Sequence, residues 1–183
     1  MSEIEGLKRN YEAQVRSHWE PSLAGPQKTW IAIYDPNQER RLRLHLSDFE
    51  SVTKNAGHSW KLIDLTDTFS NWMVSQEYCI SYFEQPALLD LALNDFTEYV
   101  VSLVAQSLAD SDVDENTVVA IMGTASLYGL TRASIIMERV ATSIKGRLVV
   151  FFPGKHEGHN YRLLDARDGW NYLALPISAD DSK

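Results

Sequence analysis

The chain of 183 residues contains a single cysteine, Cys79, and this scarcity excludes two kinds of structure. An intramolecular disulfide framework needs paired cysteines, and a cysteine-based zinc cage needs several. One lone cysteine agrees with a reducing cytoplasm, where it is a small buried hydrophobe. No apolar run approaches the roughly 18 residues of a membrane span, and no signal-peptide pattern opens the chain. We therefore expect a cytoplasmic protein without a membrane span.

Basic side chains are absent between residues 64 and 117, where eleven acidic residues lie. This segment alone carries −11 of formal charge, while the whole chain carries −8. Such a segment repels a phosphate backbone, so autonomous nucleic-acid binding is disfavoured. Three interpretations stay open: a solvated acidic face, a docking face for a basic partner, or a mimic of DNA that occupies a partner's basic groove. Asp95 and Glu98, on a predicted long helix, are the candidate docking residues.

Two nucleotide-binding motifs are also missing. Gly123 and Gly129 are wrongly spaced for a phosphate-binding loop, and Leu130 stands where its lysine would follow the second glycine. That lysine is the charge that reaches the terminal phosphates. The dinucleotide fingerprint G-x-G-x-x-G is absent as well. A working nucleotide hydrolase is therefore not expected, a degenerate nucleotide-binding fold stays open, and no cofactor is predicted.

Short apolar runs alternate with stretches of helical spacing and predict the fold class. The runs are typical of buried parallel strands, which need helical crossovers between them. We expect one α/β domain over residues 1–183, with a mainly parallel sheet covered by helices on both faces. The predicted strands cover residues 30–34, 60–65, 118–122 and 147–152.

Several further elements follow from local patterns. Apolar residues from Ile4 to Trp19 recur at helical spacing and predict an amphipathic helix within residues 1–20. Residues 41–46 fit either a strand or a helix, and the need for a crossover favours the helix. Other predictions are helices from Pro86 to Leu108 and from about Ser126 to Ile144, an antiparallel edge hairpin of residues 161–164 and 172–175, and a loose tail over residues 178–183.

The carboxyl ends of the predicted strands supply the candidate ligand site, because ligands of open parallel sheets bind there. The turn after residues 118–122 offers a helix start and hydroxyl groups, and an arginine about two turns into the next helix could add a positive charge. A phosphate or carboxylate would suit these groups. The alternative is that the same residues only make turns and caps, as Asp35 and Asp64 also can. The candidate ligand-binding residues are Gly123, Thr124, Ser126, Arg132, Pro153 and Gly154.

Two further sets of residues contain groups that are common in interfaces or metal sites. Tyr161 and Arg162 form an aromatic–arginine couple, which is a common anchor of interfaces when exposed, although packing on an edge strand explains it equally well. His156 and His159 flank Glu157, but the neighbouring glycines predict a flexible loop rather than a metal site. No metal site and no catalytic residues are predicted.

A set of short motifs extends along the chain: Ile33–Pro36, Leu62–Leu65, Val118–Thr124, Leu148–Gly154, Gly158, Tyr161–Leu163 and Tyr172–Ala174. Together they resemble the BrxB family, small accessory proteins of BREX phage-defence systems. The similarity covers roughly residues 28–177, although the second glycine of the family's turn is missing after Gly123. We expect a non-catalytic adaptor of such a system, and the resemblance implies its partners: a PglZ-like protein of the alkaline-phosphatase superfamily first, then the AAA+ ATPase or the DNA methyltransferase.

Overall fold

Parallel strands form the centre of the protein in a computed structural model that describes residues 2–180. The strands are β1 Thr29–Tyr34, β2 Ser59–Asp64, β3 Thr117–Met122, β4 Arg147–Glu157, β5 Asn160–Leu163, β6 Trp170–Asn171 and β7 Leu175–Ile177. The strand order β2-β3-β4-β1-β7 is parallel throughout, and β5 and β6 continue the sheet as antiparallel strands beside the end of β4. The predicted α/β fold is thereby confirmed.

Helices cover both faces of the sheet. Along β1 successive side chains alternate between two cores: Ile31 and Ile33 face one, and Trp30, Ala32 and Tyr34 the other. The helices are α1 Glu3–Val15, α2 Glu39–Leu44, α3 Leu46–Asn55, α4 Thr68–Val74, α5 Cys79–Glu84, α6 Leu89–Ala109 and α7 Ala133–Val140. The first core contains residues of α4, α6 and α7, and the second those of α1, α2 and α3.

Both ends of the chain differ from the sequence-based expectation. Helix α1 begins with a capping box between Ser2 and Glu5, but it ends at Val15 instead of continuing to Trp19. Beyond the helix, Trp19 stacks on His58 with ring centroids 3.8 Å apart. In the predicted tail, the carbonyl of Ser178 accepts a hydrogen bond of 2.7 Å from Asn10, so this part is held against α1. Residues 181–183 lie outside the described residues.

The helical crossover after β1 is confirmed, whereas the helix after β3 is shorter than predicted. Residues 39–44 and 46–55 form α2 and α3. After β3, a 3-10 helix over Thr124–Leu127 precedes a non-helical stretch, and α7 begins at Ala133. Gly129 interrupts the predicted helix because its φ of 78° is incompatible with a right-handed helix.

The strand β4 continues past the predicted stop at Pro153 and Gly154. Its last residues pair with β5 around a turn at Gly158, so residues 155–157 are strand and not flexible loop. The expected hairpin is shifted: β5 pairs with Trp170 and Asn171, while residues 175–177 instead pair with β1 in parallel. A proline is tolerated at residue 153 because parallel pairing of β4 with β3 ends at Val150.

Candidate functional site

The turn after β3 lies at the carboxyl edge of the sheet, as predicted, but its hydroxyl groups are used internally. Thr124 is buried and donates a hydrogen bond of 2.9 Å from its Oγ1 to the carbonyl of Phe151. Ser126 donates to the carbonyl of Leu65 at 2.9 Å, which ties the turn to the end of β2. A ligand that took either hydroxyl as a donor would therefore break an existing hydrogen bond.

A polar network missed by the sequence reasoning closes the same edge. The guanidinium of Arg43 donates to Glu39 at 2.8 Å, to Thr66 at 2.7 Å and to Asp64 at 3.2 Å. Burial and a hydrogen bond to Glu39 raise the pKa of Tyr34 far above its ordinary value. The spacing of Glu39 and Arg43 on α2 was the available signal, since residues four apart share one helix face.

The carboxylates predicted at the strand ends also have structural partners. Partial burial alone would raise the pKa of Asp64, but hydrogen bonds from Thr66 and the nearby Arg43 guanidinium together hold it below its ordinary value. Asp35 accepts a hydrogen bond of 2.8 Å from the backbone N–H of Asn37, which makes it the expected cap. Both side chains therefore stabilise the local fold.

Pro153 and Gly154 lie within β4 and not in a turn. Gly154 pairs with Leu163 of β5, and a Cβ atom on Gly154 would lie 2.0 Å from the carbonyl oxygen of Arg162. The glycine is needed because the β5 backbone approaches too closely for a side chain. Its position is explained by strand packing.

Arg132 lies immediately before α7 rather than two turns into a helix. It lines a cavity of about 480 Å³ to which Arg167 also contributes. Sequence reasoning missed Arg167, because no local pattern connects residues thirty-five positions apart. None of Gly123, Thr124 and Ser126 lines this cavity.

The aromatic–arginine couple is divided between the core and the surface. Of the two interpretations of Tyr161, the structure agrees with packing on an edge strand: the residue is 1% exposed and donates a hydrogen bond of 2.9 Å to the carbonyl of Ala174. Burial raises the pKa of Tyr161 above its ordinary value. Arg162 is exposed and stands opposite Lys155 in the β4–β5 ladder. Only Arg162 of this couple is available to a partner.

The acidic segment is partly neutralised by basic residues from outside it. Glu98 pairs with both terminal nitrogens of Arg139 on α7, the Nη2–Oε2 distance being 2.8 Å. Lys61 likewise contacts Asp110 and Asp112 at 2.6 and 2.8 Å. Asp95 is exposed and, within residues 2–180, forms no ion pair. Of the two docking candidates, Asp95 alone offers an unneutralised carboxylate.

An exposed apolar region between residues 74 and 91 was not predicted. It includes α5, a helix without a fully buried residue, and Ile80 and Phe83 of this helix are 74% and 72% exposed. The available signal was the run of large apolar residues after α4, which the helical patterns left unassigned. We call this region the 74–91 surface, and its exposed apolar side chains are Val74, Tyr78, Ile80, Phe83, Leu88 and Leu91.

The two histidines near the β4–β5 turn contact backbone atoms. Nδ1 of His156 lies 3.1 Å from the carbonyl of Gly158, and Nδ1 of His159 lies 3.1 Å from that of Ala174. Among residues 2–180, no group of three or more histidine, cysteine or acidic residues is arranged to hold a metal ion. In the same range, no helix has both the length and the hydrophobicity to cross a bilayer.

Comparison with known proteins found no relative of this chain. No family model, no curated protein and no solved structure matches the chain. Functional inference therefore depends on the geometry of the chain itself and on the motif resemblance described above.

Proposed function

We propose that this chain is a non-catalytic adaptor that binds a partner protein through the 74–91 surface in a BREX-like phage-defence complex. The observation that supports this proposal is the exposure of six large apolar side chains within this one segment. Monomeric proteins rarely leave apolar side chains concentrated in one exposed region, and such regions are typical of interaction sites. Removal of these side chains from water would drive association.

The charges around the 74–91 surface define the chemistry of the partner. Glu77, Glu84 and Asp90 are exposed in the same segment, and no lysine or arginine occurs between residues 64 and 117. Asp95 follows Leu91 by four positions on α6, so both lie on one helix face. The complementary surface is apolar with a basic rim, because opposite potentials favour encounter and exclude other partners.

The motif resemblance suggests which protein carries that complementary surface. A PglZ-like protein of the alkaline-phosphatase superfamily is the first candidate, and the AAA+ ATPase and the DNA methyltransferase of the same system are the others. The hydroxyl groups and carboxylates at the strand ends support an adaptor role, because they are engaged in the hydrogen bonds and ion pairs of the fold.

Affinity capture from cells that carry the whole defence cluster tests the proposal. The variant I80S/F83S removes two exposed apolar side chains of α5 and should reduce recovery of the partner at least about tenfold, since central apolar anchors dominate interface energy. The matched control is Leu173→Ser, which alters an apolar residue with 66% exposure outside the 74–91 surface. Its recovery should equal that of the wild type.

Two results would contradict the adaptor proposal. One is capture of the wild-type chain alone from these cells at every salt concentration. The other is equal recovery of the same partner by the wild type and by I80S/F83S, with both chains folded according to circular dichroism. The second result would remove the 74–91 surface from the proposal even if a partner is found.

The acidic rim makes a separate kinetic prediction. Asp95→Asn should slow association at low salt and flatten its salt dependence, with little change in the dissociation rate, because rim charges mainly steer encounter. Glu157→Gln removes one exposed carboxylate elsewhere and is the matched control. Stopped-flow measurements with the purified partner would show both effects. Identical association rates of Asp95→Asn and the wild type at low salt would remove α6 from the docking face.

A further inference from the structure

The cavity beside α7 is formed by two segments that are distant in the sequence. Residues 128–134 contribute one part of its lining and residues 166–170 another, while Phe152, Tyr161 and Leu163 of the strands complete it. Its volume is about 480 Å³, which falls in the range of pockets that hold small organic ligands. No residue of the 74–91 surface lines it.

Each of the two segments brings one arginine into this lining. Arg132 and Arg167 are exposed, and within residues 2–180 neither forms an ion pair or a side-chain hydrogen bond. Arg43 and Arg139, in contrast, bind carboxylates, and the buried Arg147 donates to two backbone carbonyls. Arg40 and Arg162 are also unpaired among the described residues, but Arg132 and Arg167 differ from them in lining one cavity together. An anion bound in this cavity would be attracted by two guanidinium groups.

The other charged and polar groups of the cavity also favour an anion. Asp168 is the one acidic residue among the described residues of the lining. Because two arginines line the same cavity, its side chains together carry a net positive charge. Ala133 and Ser134, the first residues of α7, also line the cavity, and the side chain of Arg132 does not cap this helix. The helix start adds a partial positive charge to that of the arginines. Guanidinium groups bind phosphate through paired N–H donors.

The remaining lining includes apolar and aromatic side chains, which suit a nucleobase. Trp170 stacks on Tyr172 with centroids 4.5 Å apart, and its indole nitrogen donates to Glu138 at 3.3 Å, so the ring is held in place. Leu130 and Leu163 line the same cavity. The volume exceeds what an inorganic phosphate fills, and aromatic faces stack with nucleobases.

We infer that this cavity binds a nucleoside monophosphate, with the phosphate between Arg132 and Arg167 and the base against the apolar lining near Trp170. The inference is independent of the adaptor proposal, because the two surfaces share no residue. Failure of nucleotide binding would leave the adaptor proposal intact, and failure of partner capture would leave the nucleotide site intact.

Isothermal titration calorimetry of the full chain tests this site with AMP, GMP, CMP, UMP, inorganic phosphate and the four matching nucleosides. At least one nucleotide should bind more tightly than its nucleoside, with an affinity that falls as salt rises. Arg132→Gln and Arg167→Gln should each weaken that binding about tenfold or more, because each removes charge-assisted hydrogen bonds. Arg167→Lys should weaken it less than Arg167→Gln, since the charge remains but the planar donor pair is lost.

The matched control is Arg40→Gln, which removes another exposed arginine outside the cavity and should bind the nucleotide like the wild type. The three glutamine variants should share the unfolding temperature of the wild type, because all three side chains are exposed. Three results would overturn the inference: no binding of any nucleotide at millimolar concentration, equal affinity for a nucleotide and its nucleoside, or equal loss of binding in Arg40→Gln and Arg132→Gln.

Discussion

Gly123 lies directly against Thr66: a Cβ atom on Gly123 would be 2.7 Å from both the backbone nitrogen and Oγ1 of Thr66. Gly123 also has a φ of 79°, a left-handed conformation that residues with a Cβ rarely adopt. The contact brings the turn after β3 onto the turn after β2, where Asp64 and Arg43 meet. This glycine is therefore required for the packing of two adjacent strand ends.

Gly123→Ala should destabilise the protein by about 2–4 kcal/mol, because left-handed strain and overpacking add. Gly129→Ala is the matched control: Gly129 has a similar φ of 78°, but nothing lies within 4 Å of the added Cβ. Gly129→Ala should therefore lower stability only through the left-handed strain, by about 1–2 kcal/mol. Urea denaturation measures both values, and equal losses in the two variants would contradict the role assigned to the Thr66 contact.

Asp64 should make a pH-dependent contribution to stability. Its pKa lies below the ordinary value in the folded protein, so this carboxylate stabilises the fold above its unfolded pKa of about 4. The contribution is lost as the pH falls through the lower folded pKa. Asp64→Asn should thus be less stable than the wild type at neutral pH, and this difference should shrink below about pH 4.

Denaturant unfolding at several pH values would measure the difference for Asp64→Asn. Asp67→Asn is a suitable control, since Asp67 is exposed and its side chain makes no capping hydrogen bond to α4. A stability difference between Asp64→Asn and the wild type that stays constant from neutral to acidic pH would show that Arg43 and Thr66 do not favour the carboxylate.

Two phenylalanines on successive helices should differ in how much their truncation to alanine lowers stability. Phe96→Ala should cost about 3–5 kcal/mol, because this ring is 0% exposed and contacts Phe69 and Trp72 at centroid distances of 5.2 and 5.4 Å. Phe83→Ala should change stability by less than about 0.5 kcal/mol, since the side chain is mostly in water. Urea denaturation compares them, and a large loss in Phe83→Ala would mean that this residue serves the fold and not docking.

Arg162 and Lys155 place two positive charges opposite each other across β4 and β5. Arg162→Glu should raise stability by up to about 1 kcal/mol, because an opposite-charge pair replaces a like-charge pair. Arg162→Gln should give a smaller gain, and added salt should reduce both. Thermal unfolding measures the changes. A lower stability of Arg162→Glu would contradict this expectation, because it would mean that Arg162 makes a stabilising interaction that outweighs its repulsion with Lys155.

Local sequence patterns were sufficient for the fold class and most central elements. The apolar runs of β1, β2, β3 and β4 and the helical spacing between them predicted a parallel sheet with two covered faces, which the structure has. Asp35 was identified as a cap for a similar reason. These features could be predicted because they depend on side-chain periodicity and on residues a few positions apart.

Tertiary packing alone decided the burial of Tyr161, the extension of β4 beyond Gly154 and the presence of Arg132 and Arg167 in one cavity. Each depends on how closely segments distant in the chain approach, which local periodicity does not specify. The sequence by itself determined the four central strands and the helical crossover after β1, because each of these patterns lies within one segment. It did not determine the break at Gly129 or the parallel pairing of residues 175–177. The structure determined which side chains stay exposed or meet in a cavity, because burial is a property of contacts between segments.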